Sequence, residues 1–150
     1  MFQKILLIED SDHKLSRIRG FAESLWDKME LHEARSFNSG CKCIDADDFD
    51  LIILDMSLPT YDRTPADSGG RFRTFGGREI ARKVIRRKIQ TKMVFITQYD
   101  SFSDRVRSLS LDDLNSELAS ECGSSYLGLV KYDSAKSSWK DELKKMMGLS

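Results

Sequence analysis

The chain has 150 residues, 40% hydrophobic and 32% charged, which suits one soluble domain with a core of its own. Its 24 Lys and Arg balance 24 Asp and Glu at a formal net charge of +0, which argues against general nucleic-acid affinity, because that needs surplus cations for phosphates. No apolar run approaches the ~20 residues of a membrane span.

In chain order, Lys4 to Ile8 reads as a first strand, entered so early that no signal peptide is expected. Glu9 and Asp10 follow at once. Ser11 or Asp12 caps a helix with Leu15, Ile18, Ala22, Leu25 and Trp26 as its apolar positions. Glu30 to Ala34 is a weak, charged strand suited to a sheet edge. Ser36 or Asn38 opens a short second helix, through roughly Asp47. Leu51 to Leu54 is an unbroken apolar run, as in a strand buried on both faces, and Asp55 ends it. After Pro59 comes an irregular segment from Thr60 to Gly77, with Tyr61, Phe72 and Phe75 among its glycines; loops this long are often functional or disordered. The three aromatics either pack the loop down as a small lid or contact a partner.

A helix from about Arg78 to Lys88 turns Ile80, Ala81, Val84 and Ile85 inward. Arg71 to Lys92 is basic and reads as a solvated helix face rather than a site for an anionic partner. Lys92 to Ile96 is a strand closed by Thr97. Ser101 to Cys122 reads as helical, with Val106, Leu109, Leu114 and Leu118 as candidate core positions, although its Ser and Asp content argues against one continuous helix. Tyr126 to Val130 is the last strand, closed by Lys131. The final helix runs from Ser134 or Ala135 to Met147, and Gly148 stops it. Cys41, Cys43 and Cys122 are odd in number and lack zinc spacing, so free thiols in a reducing cytoplasm are expected. His13 and His32 read as surface residues without ligand partners.

Strands alternating with helices imply a parallel sheet covered on both faces. Such a sheet gathers its strand ends along one edge, where open α/β folds place their ligands. That edge would hold Glu9, Asp10, Asp55, Thr97 and Lys131 together. Three clustered carboxylates repel unless a cation shares them, and oxygen ligands with room for water suit Mg²⁺. Lys131 can pair with Asp55 or with an oxyanion attached to it, and Thr97 can donate a hydrogen bond to that anion. A carboxylate in this setting can act as a nucleophile toward a phosphoryl donor.

Four stretches carry a family resemblance: Lys-Ile-Leu-Leu-Ile-Glu-Asp at 4–10, Phe-Asp-Leu-Ile-Ile-Leu-Asp-Met-Ser-Leu-Pro at 49–59, Val-Phe-Ile-Thr at 94–97, and Lys131. The chain resembles the receiver domain of two-component response regulators across nearly its whole length. The resemblance implies a flavodoxin-like, doubly wound five-stranded parallel sheet of order 2-1-3-4-5 in a single domain over 1–150. It implies phosphorylation of Asp55 by a histidine kinase or phosphotransfer protein. Mg²⁺ would sit on Asp10, Asp55 and the Ser57 carbonyl, with Glu9 completing the acidic pair, and Thr97 and Lys131 would bind the phosphoryl group. No turnover reaction, nucleic acid or membrane is implied; an output partner is, its nature open, and a homodimer stays open. Departures are the extended loop at 60–77, the enlarged segment at 98–125, and Gln98, Tyr132 and Gly128 at positions where the family has a small residue, a proline and an aromatic. They motivate an alternative: a phosphorylation-independent interaction module. A haloacid-dehalogenase-type phosphatase ranks lower, because Ser57 stands where its second Asp belongs.

Overall fold

The structure is a computed structural model and describes residues 2–149. In chain order its elements are β1 (Lys4–Ile8), α1 (Asp12–Leu25), β2 (Glu30–Ala34), α2 (Phe37–Ala46), β3 (Leu51–Leu54), β4 (Leu58–Pro59), β5 (Phe72–Arg73), α3 (Gly76–Arg86), β6 (Lys92–Thr97), β7 (Ser101–Ser103), β8 (Ser108–Ser110), α4 (Leu111–Cys122), β9 (Tyr126–Lys131) and α5 (Ser138–Met146). The main sheet is parallel throughout and runs β2-β1-β3-β6-β9. Counting only its own strands, that is the expected flavodoxin-like order.

Period-two alternation divides each inner strand between two cores. Leu6, Ile8, Ile52, Leu54, Met93 and Phe95 pack under α2, α3 and α4. Ile5, Leu7, Ile53, Val94, Ile96 and Val130 face α1 and α5, with Leu15, Ile18, Trp139 and Leu143 closing over them. Each fully buried aliphatic side chain contributes roughly 1.5–3 kcal/mol. Ser11 caps α1, its hydroxyl accepting from Lys14 N–H, and Ser36 forms a capping box with Ser39 at the start of α2.

The segment from 101 to 122 is not one helix. Its first part is a hairpin of β7 and β8, and α4 begins only at Leu111. The Asp104 carboxylate accepts from the N–H groups of Val106 and Arg107 at 2.8 and 2.7 Å, which turns the chain back. Phe102 and Leu109, paired across the hairpin, are buried, but Val106 sits at its tip and is 87% exposed rather than in the core.

Nor is the 60–77 segment structureless. β4 and β5 pair antiparallel, and Asp62 accepts from the Ser36 and Ser39 hydroxyls at 2.6 and 2.7 Å, fastening the loop to α2. Of its three aromatics, Phe75 packs against the core, whereas Tyr61 and Phe72 are exposed. The basic stretch after it is not simply solvated. Arg78 is buried and donates to Glu117 at 2.6 Å and to Glu121 at 2.7 and 3.1 Å, tying α3 to α4. Lys83 reaches Asp45 at 2.9 Å on the other side. The last helix starts at Ser138, later than expected, because Asp133 first holds a turn through Ala135 N–H. It ends as expected: Gly148 and Leu149 N–H groups return to the Lys145 and Lys144 carbonyls.

Candidate functional site

The carboxyl edge of the sheet carries the candidate site. Backbone ladder bonds extend past β1 and into β3, from Glu9 N–H to Ala34 O at 2.9 Å and from Asp55 N–H to Ile8 O at 3.1 Å. They bring the strand-end acids side by side. Carboxylate oxygens of Glu9, Asp10 and Asp55 lie within 4.8 Å of one another. Asp55 Oδ1 accepts from Met56 N–H at 2.7 Å, and Glu9 Oε2 accepts from Ser11 N–H at 3.0 Å.

The nearest cation is Lys14, from the first turn of α1. Its ammonium donates to Asp55 Oδ2 at 3.1 Å and to the Ile96 carbonyl at 2.8 Å, and stands 2.7 Å from Glu9 Oε1. Burial alone would lower the Lys14 pKa, but Asp55 and Glu9 outweigh it and hold it above the usual lysine value. Burial, backed by repulsion from Asp55, pushes Glu9 up to about 7 against the pull of Lys14. Burial also raises Asp10, with Arg63 opposing. Arg63 arrives from the extended loop, its Nη1 3.2 Å from Asp10 Oδ2. With Glu9 ionised, above about pH 7, three carboxylates against two cations leave one formal negative charge.

Thr97 is fully buried at the end of β6, with Oγ1 accepting from Tyr99 N–H at 3.4 Å. Lys131 stands beside it in register, but its ammonium is engaged by Asp100 at 2.5 Å. The structure therefore brings Lys14 to Asp55, and Lys131 to Asp100. The Ser57 hydroxyl donates to the Thr74 carbonyl at 2.7 Å, holding the turn after Asp55 against the residues before α3. The donor set fits a hard divalent cation. All three side chains offer carboxylate oxygen, although Glu9 Oε1 already faces the Lys14 ammonium at 2.7 Å. His32, on the opposite side of β1, stands 2.5 Å from Glu30, but Lys4 already pairs with Glu30 and Asp47.

No family model matches the chain. It is 32% identical over 146 residues to the Detocs response regulatory protein DtcB of Enterobacter cloacae, covering 93% of this chain and 95% of that protein. The chain belongs to the response regulator receiver family. Among solved structures, the receiver domain protein (CheY-like) of Methanospirillum hungatei shares its fold at a TM-score of 0.64 and 18% identity, covering 99% of this chain and 93% of that one. The response regulator TrrA of Thermotoga maritima, solved with Mg²⁺ and beryllofluoride, superposes at a TM-score of 0.57 and 19% identity over 96% of this chain and 98% of its own. A receiver fold supports a place in two-component signalling.

Within this receiver the departures have physical reasons. Tyr132, where the family has proline, donates its N–H to Thr97 O at 2.7 Å and so carries the β6–β9 pairing beyond Lys131, a bond proline cannot make. Gly128 has φ +149°, and a Cβ there would meet Met146 Sδ at 2.5 Å. Met146 occupies the room into which a side chain at this position would grow. Gln98 is exposed.

Sequence reasoning missed Lys14 and Arg63. Lys14 had a signal: with Leu15, Ile18 and Ala22 it completes the inward stripe of α1, and a charge at an inward position requires a partner. Arg63 had none, because nothing in a long loop's composition says where its tip lands.

Proposed function

We propose that this chain is a phosphoacceptor receiver that takes a phosphoryl group onto Asp55 from the phosphohistidine of a histidine kinase or phosphotransfer protein. The meeting of Glu9, Asp10 and Asp55 at the carboxyl edge of the sheet carries this reading. An Asp55 carboxylate oxygen attacks phosphorus, the P–N bond to the donor imidazole breaks, and the leaving imidazole takes up a proton. Asp10, Asp55 and the Ser57 carbonyl would hold Mg²⁺, with Glu9 beside them; the ion supplies charge neutralisation for the incoming phosphoryl oxygens. The Met56 N–H already on Asp55 Oδ1 fixes the rotation of the carboxylate. Thr97 offers its hydroxyl to the phosphoryl group, and Lys131 reaches it on leaving Asp100. Modification then biases a conformational equilibrium that an output partner reads, without a separate turnover reaction. The setting is cytoplasmic; among the described residues no helix is long and apolar enough to cross a membrane. Beryllofluoride with Mg²⁺ is expected to shift amide resonances around Asp55 and Thr97, and Asp55→Asn to abolish the shift. An unchanged wild-type spectrum refutes the proposal.

A second reading is a phosphorylation-independent interaction module. Lys131 on Asp100 and Met146 in the space beside Gly128 favour it. Partner capture unaffected by Asp55→Asn would establish it; capture that needs Asp55 would exclude it.

A further inference from the structure

The two cations at the acidic edge differ in how freely they can leave. The Arg63 side chain is 51% exposed and touches only the outermost acid, Asp10, from the extended loop. The Lys14 side chain is 2% exposed. Its ammonium is held from three directions, by Glu9, by Asp55 and by the Ile96 carbonyl at the end of β6. The Tyr132 ring covers it at 5.7 Å, and the Ser11 cap fixes the turn of α1 from which it projects. For Lys14 to withdraw, Glu9 and Asp55 would both face burial without a counter-charge.

We infer that Lys14 is the resident counter-ion of this receiver's acidic site: it stays in place when a divalent cation binds, the cation exchanges with Arg63 alone, and its affinity is reduced by the ammonium that remains. The inference rests on reading Asp10 and Asp55 as metal-binding carboxylates. A fixed positive charge in contact with Asp55 repels an incoming cation and takes up part of the negative field that would attract it. The acids therefore stay assembled without metal.

Magnesium titration of the full chain by calorimetry tests this, comparing wild type with Lys14→Met. Methionine fills much of the volume of the lysine stem without its charge, so the comparison reads the ammonium itself. The variant is expected to bind Mg²⁺ about tenfold more tightly or better, the change worth about 1.4 kcal/mol. Its Tm should also rise with added Mg²⁺ by more than that of the wild type. Equal or weaker binding in the variant overturns the inference. Where the variant does not fold, ¹⁵N-detected lysine ammonium resonances of the wild type decide. The Lys14 signal is expected to stay protected from exchange at saturating Mg²⁺, and its loss to solvent exchange overturns the inference. A beryllofluoride response judges the phosphoacceptor reading separately: it fails if that response is absent, whatever the magnesium comparison gives.

Discussion

A Cβ added to Gly77 would stand 2.1 Å from the carbonyl oxygen of Asp55. Its N–H bonds Met56 O at 2.7 Å, so the start of α3 lies directly on the backbone of the turn after β3. Gly77→Ala forces the two apart and should destabilise the chain by about 1–3 kcal/mol, with Asp55 displaced from its neighbours. Gly20 is the control: within α1 a Cβ there meets nothing within 4 Å, and Gly20→Ala should stabilise by about 0.5–1 kcal/mol. Urea unfolding of both variants checks the pair; equal effects would contradict the close approach.

Removal of Arg63 should tighten divalent binding less than removal of Lys14. The Arg63 guanidinium is half exposed, although Asp10 is only 17% exposed, so the pair is reached and screened by salt from the arginine side. Arg63→Ala is expected to lower the Mg²⁺ dissociation constant by about two- to fivefold at low ionic strength, on the scale of an exposed ion pair, and hardly at all in high salt. Calorimetry at two salt concentrations reads this.

Glu9 gives the site a pH signature. Its folded-state value of about 7 lies above the ordinary 4.5, so the folded chain keeps a proton that the unfolded chain releases. Stability from this group therefore falls as pH rises from about 4.5 to about 7 and is level above that. In buffer with a chelator, the stability of the wild type relative to Glu9→Gln should drop by about 3 kcal/mol across the window, at 1.36 kcal/mol per pH unit. A difference that does not change with pH would show that Glu9 titrates normally.

The clamp between α3 and α4 separates a buried cation from an exposed one. Arg78→Ala leaves Glu117 to Arg107 and Glu121 to Arg82, but it empties the buried link between α3 and α4 and should cost about 1–3 kcal/mol. Arg82, 51% exposed, also touches Glu121, yet Arg82→Ala should cost under about 1 kcal/mol. Thermal denaturation of the two variants side by side is sufficient to rank them.

The sheet was legible because its two central strands, β1 and β3, are written twice, once as apolar runs and once as the acids that end them. Leu51 to Leu54 followed by Asp55 states both burial and edge in five residues. The gathering of Glu9, Asp10 and Asp55 follows from that topology alone. The Ser and Asp content before α4 argued against one continuous helix, but the hairpin itself was not legible, because Val106 and Leu109 fall at a spacing that a helix also satisfies. Only the Asp104 turn decides between them, and a side chain capping its own backbone leaves no periodicity. The partner of Lys131 was hidden for a similar reason: register placed the residue beside Thr97, but the reach of a long flexible side chain depends on which acid is nearer, and Asp100 comes from a loop.

Tyr132 lies between the Lys14 ammonium, 5.7 Å from its ring, and the buried indole of Trp139, with ring centroids 5.3 Å apart. The aromatic pair thus links the rim of the acidic pocket to an intrinsic fluorophore. Trp26, the other indole, packs beside Phe2, and Trp26→Phe would leave one indole fluorophore, which meets the Lys14 charge through Tyr132 and lies under Arg17 and Lys140 as well, so Arg17→Gln and Lys140→Gln are the controls for its emission.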